Sequence, residues 1–185
     1  MENLESQIIK QCAPTLAGLK TANLFNYSYK DAKVLSWELK EIRHKLQDKG
    51  VYIECLKQSG KTVLLYVYRK NNLSKDLRGE GILSLLKEYG YESVETEYAI
   101  SKLKKRIAEE KCFPHEIGVF LGYPIGDVRE FIRNKGQNCL FCGVWKVYCD
   151  AGESLKKFER YKKCTQVYSK VFANGRNISQ LTVSA

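Results

Sequence analysis

Two short runs constrain this chain most: VYIECLK at Val51–Lys57 and TVLLYVYR at Thr62–Arg69, separated by the four residues Gln58–Lys61. Both are dense in β-branched and aromatic residues, which suit a pleated, half-buried surface. Gly60 supplies a turn conformation, so the pair is read as an antiparallel hairpin. Most of the remaining chain is spaced for helices. Leu35, Leu39, Ile42 and Leu46 recur at helical intervals. Ser28 and Asp31 introduce them in the capping-box pattern S-x-x-D, and Gly50 closes the segment. His44 lies off that apolar stripe and is read as a solvated or partner-bonded helix residue.

The opening residues Leu4–Gln11 are expected to be helical, with Pro14 interrupting, and a second short helical segment is expected over Thr15–Phe25. Further helices are predicted near Gly81–Tyr89 and over Val94–Lys111, the latter stopped by Cys112-Phe-Pro114. Two helical pieces flank Gly122-Tyr-Pro124, and Gly136 ends the second. Val144–Tyr148 reads as a third strand. A last helix runs from about Glu153 to Asn174, with Leu155, Phe158, Tyr161, Tyr168 and Val171 on one face and Gly175 following. No repeat, low-complexity tract or long linker divides the sequence. The predicted fold is therefore α+β: a helix-rich single domain over residues 1–185, with a small antiparallel sheet (hairpin 51–69 plus strand 144–148) and a helix-turn-helix-like hairpin at 115–135.

A chain of 185 residues buries roughly two-thirds of its unfolded surface, so neither disulfide nor metal is needed for folding. The start, MENLESQIIK, has no basic n-region or apolar h-region, and no secretory signal is expected. Apolar runs such as Val63–Tyr68 are far shorter than a membrane span, so no membrane association is expected. The expected location is cytoplasmic, where seven cysteines read as reduced thiols. The net charge of +10 is uneven: residues 1–100 carry 15 Lys and Arg against 13 Asp and Glu, and residues 101–185 carry 16 against 8. A basic C-terminal half attracts anions, whether an anionic ligand, nucleic acid or an acidic protein partner.

Several motifs fail on their own terms. Ser59-Gly60-Lys61-Thr62 contains the GKT of a phosphate loop, but Cys55 stands where the first glycine is needed, and a strand follows instead of a helix. Leu19 splits the Gly-Lys pair of Ala17–Thr21. Asn177-Ile178-Ser179 matches a glycosylation acceptor without any sign of secretion. No Ser/His/Asp set has recognisable local context.

The dense region is Phe113–Cys164, with FPHEIGVFLGYP, CLFCGVWKVY and RYKKC. Over Glu116–Ile132, Gly118 precedes Gly122 by four, and Ile117, Leu121, Val128 and Phe131 fall at core positions of a helix-turn-helix template. Its would-be reading positions are Pro124, Ile125, Gly126, Asp127, Arg129 and Glu130. They offer one good base-edge donor and two carboxylates that repel phosphate. A C-x-x-H, Cys112 to His115, and a C-x-x-C-G, Cys139 to Gly143, together hold four ligands of the type zinc takes: Cys112, His115, Cys139 and Cys142. A redox C-x-x-C usually opens a helix, and here a strand follows. Cys164 lies near the apolar stripe of the last helix, where burial makes it inert unless it shares a cleft with His115, with Lys162 and Lys163 lowering its pKa. Trp145, Tyr148 and Tyr123 are of a type that lines a flat-ligand pocket or simply fills a core.

At these residues a resemblance emerges. FPHEIGVFLGYP, a GDV-type helix start, CGVWKVY and RYKKC resemble a family of anaerobic Firmicute bacteria catalogued as domain of unknown function 3793. The segment CAPTLAGLKTANLF (Cys12–Phe25) and the strand Leu64–Arg69 are similar to it as well, so the likeness covers nearly the whole chain. What the resemblance implies is that the FPHE, C-G-x-W-K-V-Y and YKKC cores recur, whereas Cys112, Cys139 and Cys149 are individual features. That weakens a four-ligand zinc site. It moves attention to His115, Glu116, Cys142, Lys146 and Cys164, with Trp145 beside them. The leading expectation is a cytosolic ligand- or metal-binding accessory protein built on these six residues. A nucleic-acid-binding module using the basic half and a protein–protein adaptor are the alternatives.

Overall fold

The computed structural model describes residues 3–109 and 113–184. In chain order the elements are α1 (Leu4–Leu16), β1 (Ala22–Ser28), α2 (Ala32–Gln47), β2 (Val51–Ser59), β3 (Thr62–Arg69), α3 (Lys70–Leu77), α4 (Ile82–Lys87), α5 (Thr96–Glu109), α6 (Ile117–Phe120), α7 (Ile125–Arg133), β4 (Phe141–Cys142), β5 (Lys146–Val147), α8 (Ala151–Ala173) and α9 (Ile178–Leu181). The fold is α+β and helix-rich. Two compact units make it up: Met1–Asn71 with Tyr161–Ala185, and Asn72–Arg160.

In the first unit, β2 and β3 form the expected hairpin, and β1 adds a third strand on the other edge of β3, giving the antiparallel order β1-β3-β2. Here the structure corrects the helical reading of Thr15–Phe25. The chain leaves α1 at Leu16, turns through Gly18 at φ 75°, and enters an edge strand whose Phe25 and Tyr27 pair with Leu65 and Val63. The edge of β3 decides that segment's conformation, and local spacing does not report it. Pro14 sits inside α1 without ending it. The carbonyl of Pro14, in the last turn, accepts from both the Leu19 and the Lys20 amides.

Asp31, not Ser28, is the N-cap of α2. Its carboxylate accepts from the Lys33 and Val34 amides, while Ser28 ends β1. The stripe Leu35, Leu39, Ile42 and Leu46 is buried as its spacing requires, in one core with Ile8 and Leu16 of α1 and Ile53, Leu65 and Val67 of the sheet. Arg69, at the end of β3, is buried at 2 % exposure. It donates to Thr15 O, Leu16 O and Val183 O at 2.6, 2.5 and 2.7 Å, tying the open end of α1 to the C-terminal segment. The Asn177–Gln180 capping box starts α9, which is the structural use of the would-be glycosylation triplet.

In the second unit, helices α4–α7 surround Leu85, Leu86, Leu103, Ile107, Phe120 and Tyr91, all buried. α6 and α7 form the expected helical hairpin, turned at Gly122 with φ 71°. Gly118 is needed for close contact, since a Cβ there would lie 2.7 Å from Val128 Cγ2. The strand expected over Val144–Tyr148 is reduced to β5. It pairs with β4 in a separate two-stranded sheet, Phe141 opposite Val147 and Cys142 opposite Lys146, and does not join the hairpin of 51–69. Pairing stops there because Asp127 takes the next two amides, those of Tyr148 and Cys149. Of the described residues, no helix is long and apolar enough to cross a membrane.

Candidate functional site

α7 and the β4–β5 ribbon together shape a cavity of about 330 Å³ within the second unit. Its construction begins at Asp127, in the first turn of α7 and 2 % exposed. Asp127 Oδ2 accepts from Trp145 Nε1 at 2.7 Å, and Oδ1 accepts from the Tyr148 and Cys149 amides at 2.8 and 2.9 Å. One carboxylate thereby clamps the ribbon to the helix start and sets the tilt of the indole. Charge-assisted bonds of this kind are short and strong, and three of them satisfy the buried charge.

The indole then forms a wall. Tyr123 stacks on Trp145 with centroids 5.0 Å apart, and Phe158 meets it edge-on at 4.5 Å. The turn Gly143–Val144 passes so close to Phe158 that a Cβ at Gly143 would sit 2.1 Å from its ring, which explains the glycine of CGVW. Tyr123 also donates its hydroxyl to Val144 O at 3.3 Å. Opposite, Phe131 takes the edge of the His115 ring at 5.2 Å, and Lys146 Nζ lies 6.0 Å from the Phe131 centroid while donating to Gly136 O at 2.7 Å.

Of the six residues singled out in the sequence, His115, Cys142, Trp145 and Lys146 line this cavity. His115 and Cys142 are exposed at its surface, and Lys146 is half-buried. Glu116, the neighbour of His115, turns the other way. It is fully buried, where its Oε1 accepts from Arg106 Nε at 2.6 Å and from the Tyr91 hydroxyl at 3.2 Å. Its role is therefore an internal ion pair joining α5 to the start of α6. Cys164 belongs to the first unit, half-buried on α8, and burial raises its thiol pKa, which suppresses nucleophilicity.

For the zinc set, Cys112 lies outside the described residues. Among the described residues, no three His, Cys, Asp or Glu side chains cluster to hold an ion. The described cysteines, Cys139, Cys142 and Cys149 included, are free thiols. Sequence reasoning missed Asp127 as the clamp, because it falls at a would-be reading position of the helix-turn-helix template, where its carboxylate counts as facing outward. It also placed Phe131 in the core, whereas the ring is half-buried and lines the cavity. Helical spacing marks a face, and this face is shared between core and cavity.

The family described as "Protein of unknown function (DUF3793)" matches residues 8–182. The chain belongs to that family. No curated protein and no solved structure matches it. The matched span covers the second unit whole, most of the first, and every residue of the cavity described above.

Proposed function

We propose that this DUF3793 protein is a ligand-binding accessory protein whose site is the aromatic cavity of the second unit. The observation that carries the reading is the convergence of three chemically able side chains, His115, Cys142 and Lys146, on a recess walled by Trp145, Tyr123 and Phe131. Apolar walls with a few placed polar groups are the usual composition of small-molecule sites. His115 supplies a donor, an acceptor or a metal ligand, Cys142 a soft thiol, and Lys146 a positive charge. Free thiols throughout the described residues favour a cytoplasmic setting in a bacterial cell. The family match across both units supports treating residues 1–185 as one domain.

The test uses Trp145 as its own reporter in a Trp37→Phe background, since Trp37 is 64 % exposed on α2 and belongs to the first unit. Small aromatic compounds and zinc are titrated while Trp145 emission and thermal midpoint are followed, with His115→Ala and Cys142→Ser alongside. Binding that perturbs Trp145 and weakens in either variant supports the reading. Unchanged emission and midpoint across the whole set would overturn it.

A second reading, nucleic-acid binding, draws on α8. This 23-residue helix exposes Lys156, Lys157, Arg160, Lys162, Lys163 and Lys170. It draws little from the helical hairpin. Asp127 is committed to the ribbon, Gly126 lies against Cys149, and Arg129 donates to Gly81 O at 3.1 Å.

A further inference from the structure

We infer that the cavity takes a flat aromatic or unsaturated molecule bearing one anionic group, carboxylate or phosphate. This rests on the cavity being a ligand site and adds the class of occupant. The flat body follows from the walls. Trp145 cannot swing, because Asp127 holds its Nε1, Tyr123 stacks on it and Phe158 packs at right angles to it, so the Tyr123–Trp145 pair is a fixed aromatic wall for a flat body to lie against. Around it, Phe113 and Val144 remain 47 % and 42 % exposed, an apolar rim that the protein itself leaves uncovered. A volume of about 330 Å³ sits at the small end of ligand pockets and suits one fused-ring body.

The negative charge follows from what the lining lacks. Its described carboxylate is Asp127, and both of that residue's oxygens already accept N–H donors. The remaining polar side chains are a cation, an imidazole, a thiol and the Tyr123 hydroxyl, which donates to Val144 O. Lys146 donates one hydrogen to Gly136 O, and among the described residues it makes no ion pair. An ammonium has three hydrogens, so two remain for a ligand oxygen. A ligand cation would gain only ring faces and would be repelled by the Lys146 ammonium, whereas a neutral ligand would leave the ammonium's two remaining hydrogens without a charged partner.

Calorimetric titration of the full chain with 2-naphthoate, 1-naphthyl phosphate and neutral 2-naphthamide tests this. The expected result is binding of at least one anion about tenfold tighter than the amide. That preference should collapse in Lys146→Met and return in Lys146→Arg. The better of the two anions identifies the head group. Equal affinity for anion and amide in the native protein, or a preference that survives Lys146→Met, overturns the inference while leaving the cavity a ligand site. Absence of binding by all three removes this inference, while the Trp145 titration with the wider set decides the ligand site itself. Should Lys146→Met fail to fold, the native anion-to-amide ratio still decides.

Discussion

Asp127 and Lys20 show how single buried polar groups set the behaviour of each unit. Replacing Asp127 with Asn keeps an acceptor for the Tyr148 and Cys149 amides but points an N–H at Trp145 Nε1, donor against donor. The expected cost is about 2–3 kcal/mol. Urea unfolding followed by Trp145 emission in the Trp37→Phe background measures it, and a loss below about 0.5 kcal/mol would dismiss the clamp. Lys20 is 5 % exposed, and burial pulls its pKa down to about 8. Between pH 8 and the ordinary lysine value of 10.5 the unfolded chain holds the extra proton, so stability rises with pH across that window. Buried Cys12 opposes this above pH 9.0, because its thiol stays protonated in the fold while the unfolded thiol ionises. Between pH 8 and 9 the unfolded Cys12 thiol already begins to ionise and offsets part of this rise, so Lys20 is read as the difference between the native protein and Lys20→Met, with an expected gain of about 1 kcal/mol in urea melts. Lys20→Met should remove that gain and stabilise the protein at pH 7. An unchanged slope would show that another group titrates there.

At the scale of elements, the hairpin of β2 and β3 and the buried stripe of α2 follow from patterns that local sequence carries in full. Dense β-branched and aromatic runs over seven and eight residues mark the strands, and a 3.6-residue stripe over three turns marks the buried face of the helix. The third strand is different. Ala22–Ser28 has no strong period of its own, and it becomes a strand because β3 offers an open edge. The end of α1 is equally nonlocal, since Arg69 reaches its carbonyls from more than fifty residues away. Arg69→Met leaves Thr15 O, Leu16 O and Val183 O without that donor, and the expected loss is about 3 kcal/mol or more in denaturant unfolding. Arg69→Lys should recover only part of it, because a single ammonium cannot reproduce the planar fork. Full recovery by lysine would argue that charge alone matters. The α6–α7 hairpin was legible from Gly118 and Gly122. The use of its exposed side was not, because the spacing that buries Val128 also carries Phe131 into the cavity.

Across the whole molecule, α8 carries six exposed cations against two carboxylates, while on α7 Asp127 is committed to the ribbon and Arg129 donates to Gly81 O. Any association with nucleic acid should accordingly ignore sequence and depend on phosphate alone. Anisotropy titrations with two unrelated duplexes should give equal affinities that fall steeply between about 50 and 200 mM salt. Lys162→Gln with Lys163→Gln should flatten that dependence. A sequence preference that survives the higher salt would return the helix-turn-helix reading to the front.

The sequence alone determined the α+β class, the hairpin, the long basic helix, and the region holding the candidate site. Each of these is written in local spacing, in turn glycines, or in charge that needs no partner to be counted. Tertiary structure alone decided that Glu116 faces inward to Arg106 while His115 faces outward, and that Asp127 orients Trp145. It also placed Cys142 and Lys146, paired across one ribbon, on the same recess. Adjacent residues on a turn point in different directions, and a side chain's partner is chosen by packing between segments far apart in the chain. Spacing along the chain holds no record of that choice.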